Sequence, residues 1–251
     1  MSQPPTEDVT QPPAEGVEGA RGRWVYESIV DAVPGVSFTR AQALVIQLVL
    51  FETGVVVLAA AYDTWSAVLP GTAAVVVVSA GSGLMLTLGR RIRTLSVPRV
   101  YTKVLFGSQI EIVLGVASYV LLITYLFVID PQSAGEPLLD TLFGRPYPAP
   151  VVAFTLLVLF DVCYRIGTGW WASIVGLWRT VLYGSNLDSR TRAGLLRADL
   201  VTIGFAWVQL VMLPFLLDHP LLLFAVSGHV AAVTLVSGAS VLLLGRQGRS
   251  G

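Results

Sequence analysis

Glu52, Asp161 and Arg165 each stand inside a long apolar run. There an ionised side chain costs about 2.5 to 3.5 kcal/mol even on the lenient insertion scale, and it must be paired, protonated or wetted. Asp161 precedes Arg165 by four residues, so on a helix the two share a face with the acid N-terminal to the base, the better order for an ion pair. Thr168 continues that stripe and Tyr164 flanks it. Glu52 lies near the middle of its own run at a depth similar to that of Arg165, so the two could meet across helices. If Asp161 and Arg165 neutralise each other, Glu52 keeps no committed partner, the condition a proton-linked carrier needs of a carboxylate.

Three more polar residues recur at helical spacing among small side chains. Glu111 belongs with Ser108, Gly115, Ser118 and Tyr125, Gln209 with Asp199, Thr202 and Ala206, and His229 with Ala232, Val236 and Ser240. Small residues let helix backbones approach, and Ser, Gln and His hydrogen-bond between helices, so His229 reads as a helix-bonding group before a proton relay. Glu111 becomes interfacial if its apolar run begins near Ile110. Arg165 could snorkel toward the interface marked by Trp170 and Trp171.

The elements that position these residues are six apolar runs, at about Ala41 to Ala61, Ala67 to Leu88, Val104 to Ile129, Val151 to Trp171, Asp199 to Leu217 and Leu221 to Leu244. Each is long enough at 1.5 Å per residue to cross a hydrocarbon core of roughly 30 Å. Charged residues make up 13% of the chain, against about 25% in soluble proteins, and mean hydropathy is +0.72. The fold expected is an all-α integral membrane bundle of six transmembrane helices.

With the N-terminus cytoplasmic, fourteen of the sixteen Lys and Arg fall on that face. They come from the tail before Ala41, the segments Arg90 to Lys103 and Arg179 to Arg197, and the C-terminal tail, whereas Arg145 alone lies on the other face. This is the positive-inside pattern, so both termini are expected in the cytoplasm and the protein in the cytoplasmic membrane. An odd number of spans would destroy the pattern.

Residues 1–22, rich in Pro, Gln, Glu and Thr, read as a disordered polar tail, and 23–40 as an interfacial amphipathic segment with Trp24 and Tyr26 at headgroup level. The tail lacks the apolar region of a secretory signal, so the first span is expected to be retained. The transmembrane domain then covers 41–245, and 246–251 form a cytoplasmic tail. Five prolines between Asp130 and Pro150 disfavour a continuous helix and leave room for one turn at Leu138 to Phe143. Asn186, Asp188 and Ser189, standing before Thr191 to Leu196, offer a cap and a helix leading into the fifth span.

Zero net charge points away from nucleic acid; the basic loops suit anionic lipid headgroups. Cys163 is alone, so no internal disulfide, metal set or cofactor motif is expected. The segment Ala80-Gly81-Ser82-Gly83 with His229 departs from the Gly-x-Ser-Gly of six-span rhomboid-type proteases in its first residue and its span, so proteolysis is not expected and Gly81 to Gly83 reads as close helix packing. With fifteen arginines against one lysine, abundant Ala, Val and Gly, and an acidic Pro-containing tail, the chain resembles uncharacterised multi-spanning membrane proteins of halophilic archaea and other high-GC prokaryotes. That resemblance implies a family without an assigned activity.

Two functional readings compete. The first is movement of a small solute or ion, proton-linked through Glu52, along a polar interior. The other is a non-catalytic scaffold or accessory subunit whose polar stripes only lock helices together.

Overall fold

A computed structural model of the protein describes residues 39–247. The two N-terminal segments expected at 1–22 and 23–40 therefore lie almost wholly outside the described residues.

The first helix, α1 (Arg40–Tyr62), begins in a capping box: Thr39 Oγ1 accepts the Gln42 amide, and the Gln42 side chain accepts the Thr39 N–H. It stops at Asp63, which takes a left-handed conformation with φ 55°. A single turn leads to α2 (Val68–Arg93), whose last turn carries Arg90, Arg91 and Arg93, cations that suit the negative end of a helix. Pro98 then starts α3 (Arg99–Gly107), and a break at Ser108–Gln109, where Gln109 has φ 56°, separates it from α4 (Ile110–Thr124) and a wide final turn, Tyr125–Ile129.

The short α5 (Leu138–Phe143) coincides with the turn expected among the prolines. The long α6 (Ala149–Tyr183) follows, then α7 (Ser189–Val208), capped by Asp188 through the Thr191 amide at 2.8 Å as the sequence suggests. A tight segment, Gln209–Phe215, continues α7, and α8 (Pro220–Gln247) closes the bundle. Six helical stretches are long and apolar enough to cross a membrane, at Ala41–Tyr62, Trp65–Arg93, Arg99–Gln132, Ala149–Asn186, Ser189–Phe215 and Pro220–Gln247.

Several expected boundaries move: α2 runs to Arg93 rather than Leu88, the third span is broken at Ser108–Gln109, and the helix of the fifth span begins at Ser189 rather than Asp199. The fourth helix does not end at Trp171 but runs three turns further, so Arg179 is no loop residue. Residues 172–178 are uncharged and mostly apolar, and nothing in them stops a helix. The last helix likewise absorbs Arg246 and Gln247.

At the centre of the bundle, α6 packs against α2, α4, α7 and α8. Its crossing with α4 depends on glycine: a Cβ on Gly115 would lie 2.9 Å from the Tyr164 Cα, and one on Gly167 would lie 2.8 Å from the Gly115 nitrogen. Backbones this close gain dispersion contacts that lipid cannot supply. The main core joins Val77, Met85 and Leu88 of α2 to Leu105, Val162, Val175, Leu195 and Leu244. By contrast α1 is peripheral, with Ala59 its one buried side chain among residues 41–62. Large apolar side chains such as Leu50, Leu121, Phe224 and Leu235 face outward, as hydrocarbon rather than water requires.

Candidate functional site

Arg165 stands midway along α6 with its side chain 1% exposed, and its guanidinium meets the Asp161 carboxylate at 3.0 Å, one turn back along the same helix. Nη1 lies 3.0 Å from the Met85 sulfur. Gly81 makes this placement feasible, because a Cβ there would fall 2.6 Å from the Cβ of Arg165, so the arginine stem lies directly on α2. The glycines of that segment were expected to serve close packing, and at Gly81 they do.

The same pair recruits a third helix. Gln47 of α1 donates to Asp161 Oδ2 at 3.2 Å and accepts from the Ser82 hydroxyl at 2.7 Å. Its amide is thus held between α2 and α6, and it ties the peripheral helix to both. Five residues on, and so about 140° round the helix at 100° per residue, Glu52 points elsewhere: its carboxylate accepts the Thr72 hydroxyl of α2 at 2.7 Å. The expected meeting of Glu52 with Arg165 gives way to this contact, and Glu52 does have a partner. It also borders a surface groove with Leu48, Thr53 and Val57.

The remaining sequence candidates do not join this cluster. Thr168 is buried, but its hydroxyl turns back to the Tyr164 carbonyl at 2.9 Å. Glu111 is buried in the bundle: the break at Gln109 places it in the first turn of α4, where free helix N–H groups favour a carboxylate, and its Oε2 has no hydrogen-bond partner among the described residues. Gln209 is buried with neither amide atom hydrogen-bonded among the described residues. His229 was expected to bond another helix; instead its ring lies 6.0 Å from that of Trp170 and Nε2 is unpartnered. The buried face of α8 is turned by one residue from the expected stripe, passing through Val230, Val233, Ser237, Ser240 and Leu244. Ser240 belongs to both patterns, and its partners on α6 and α7 set the rotation.

Those partners form a second ion pair that sequence reasoning missed. Arg179 of α6 meets Asp199 of α7 at 2.7 Å, with side chains 0% and 7% exposed. The Ser240 hydroxyl lies 2.7 Å from Asp199 Oδ2 and 3.2 Å from Arg179 Nη2, and Thr180 bonds Ser240 at 2.7 Å. The Tyr101 ring of α3 lies beneath the guanidinium, 5.4 Å from its centroid. Four helices meet at one charge pair. The available signal was an arginine flanked by uncharged helix on one side and an acid opening the next apolar run.

A third polar cluster lies at the α5 end of the bundle. The buried Asp130 accepts from Tyr125 at 3.0 Å and from the Leu138 amide at 2.6 Å, and it lies 2.9 Å from His219 Nδ1. Nearby, Asp140 receives the Arg145 guanidinium at 2.9 Å and the Tyr147 hydroxyl, and these donors hold its carboxyl below the usual carboxylate range. Among the described residues no group of three or more His, Cys, Asp or Glu could hold a metal ion, and Cys163 is free and buried.

Arg179 and Asp199 pair between helices, and Gln47 links the Asp161–Arg165 pair of α6 to α1 and α2, an arrangement suited to holding a bundle together in a medium without water. With six apolar helices around it, the architecture is that of a multi-pass membrane protein. The chain belongs to a family of unknown function, DUF7530, whose model matches residues 20–240. No curated protein and no solved structure matches it.

Proposed function

We propose that this protein is a non-catalytic scaffold or accessory subunit of the cytoplasmic membrane, with its intramembrane charges serving as helix locks. The observation that carries this reading is the Gln47 amide, which binds Ser82 and Asp161 at once and so commits the central ion pair to three helices. Hydrogen bonding of this kind supports a structural role for the Asp161 carboxylate. An even number of crossings would put residues 39 and 247 on one side, and the excess of arginine in the segments of that side supports a cytoplasmic position for it. Arg90, Arg93 and Arg99, exposed there, suit contact with anionic headgroups.

The second reading, passage of a small solute or ion, draws on Glu111, whose buried oxygen lacks a partner. The two readings differ in whether water reaches the α2–α6 seam. In vesicles, Ser82→Cys and Thr168→Cys made in a Cys163→Ser background are expected to react with a water-soluble maleimide no faster than native Cys163. Reaction at the rate of an exposed Ser133→Cys control would overturn the scaffold reading and favour passage.

A further inference from the structure

A second feature of the fold, independent of the ion pairs, is a cavity of about 140 Å³ at the α5 end. Its walls come from five elements, with Val55 of α1, Phe143 of α5, Phe154 and Val158 of α6 and Met212 beyond α7 among them. Apart from the hydroxyls of Thr64 and Thr155, the lining is apolar. Water needs two to four polar partners to occupy such a space, whereas an apolar cavity of about 150 Å³ stays dry and accepts a benzene-sized guest. Void surface also forfeits the dispersion contacts that a hydrocarbon guest would restore.

The cavity is preformed, because its roof is pinned at several points. Asp130 holds the first amide of α5, and Asp130 is itself held by Tyr125 and His219. Ser66, just before α2, donates to the Leu142 carbonyl at 2.7 Å, which fastens the other end of α5 to the bundle. Such fixing keeps Leu142 and Phe143 from collapsing inward to fill the space, as a site that is ready before its ligand arrives requires.

We propose that the cavity receives the terminal few methylenes of a phospholipid acyl chain from the surrounding bilayer. Three observations select this occupant. A space of about 140 Å³ suits a chain end. The lining offers no charge to a polar molecule. Several wall residues, Val55, Leu58, Leu159 and Phe215, are only half-buried, so the opening lies between spanning helices, where acyl chains are the solvent. Because the guest leaves one apolar medium for another, binding rests on packing rather than on the hydrophobic effect, and the chain should exchange readily.

The test uses the full chain reconstituted in vesicles with a phospholipid bearing a diazirine at the end of one acyl chain, followed by photolysis and mapping of adducts by mass spectrometry. Adducts are expected on Phe154, Thr155 and Met212 as well as on the lipid-facing Leu157. Thr155→Phe, or Val55→Phe from the opposite wall, should lower the cavity adducts by about tenfold, which corresponds to about 1.4 kcal/mol, and leave those on Leu157 unchanged. Cavity adducts that persist in both variants, or wild-type adducts confined to Leu157 and other outward residues, would overturn the proposal. Labelling of the cavity by a free diazirine fatty acid but not by the phospholipid would overturn the assignment to a phospholipid chain. Should either substitution prevent folding, the wild-type adduct map decides.

Discussion

The two ion pairs of α6 use the same chemistry and do different work. Asp161 and Arg165 are one turn apart on a single helix, with the acid 19% and the base 1% exposed, and the pair forms as soon as α6 does. Arg179 and Asp199 are 0% and 7% exposed and meet only when α6 and α7 dock, with Ser240 of α8 completing the site. The first pair neutralises a charge that α6 must carry into the membrane, and it reaches other helices through Gln47. The second pair exists only in the assembled bundle, so it fixes the rotation and register of three helices together. A buried pair is weak evidence for stability by itself, but removing one partner leaves an uncompensated charge.

Single substitutions separate the two pairs. Asp199→Ala, which strands Arg179 at the meeting of four helices, is expected to cost on the order of 3 to 5 kcal/mol in unfolding from mixed micelles. Replacing both partners, Arg179→Met with Asp199→Leu, should recover most of that loss; a double variant as unstable as the single one would show that the pair does not act as a unit. Asp161→Ala should cost less, about 1 to 3 kcal/mol, because the site is partly open and Arg165 retains the Met85 sulfur as a neighbour. Gln47→Leu, which removes only the bridge to α1, should cost roughly 0.6 to 1.7 kcal/mol and leave the pair intact. Equal losses at Asp161 and Asp199 would mean that the two pairs contribute alike to the assembled bundle.

That same distinction explains what could be read beforehand. Six helices, the α5 turn, the Asp188 cap and the Asp161–Arg165 pair all rest on local rules: apolar length, proline placement, a capping side chain, an interval of four. The Arg179–Asp199 pair spans 20 positions and two helices, and no interval marks it. Arg179 looked like a loop residue because Trp170 and Trp171 resemble an interface, and only the continuation of α6 to Tyr183 buries it. Glu52 was expected to meet Arg165 and instead meets Thr72, because its partner depended on which neighbour α1 packs against. The Asp130–His219 contact joins residues 89 apart, across two connections whose geometry the prolines conceal.

The smallest expected effect concerns the exposed end of the α5 segment, where neither ion pair reaches. Asp140 accepts from Arg145 and Tyr147, and its carboxyl titrates below the ordinary carboxylate value of about 3.9. A folded-state value lower than the unfolded one means that the unfolded chain binds the proton more readily. The contribution to stability is therefore complete above about pH 4 to 5 and is lost as the pH falls through the depressed value. Asp140→Asn should leave the melting temperature near neutrality little changed, since its partner Arg145 is exposed and screened by solvent, while reducing its fall between neutral and acid pH. An acid limb identical in the variant and the parent would show that the α5 roof is held by Asp130 and Ser66 alone.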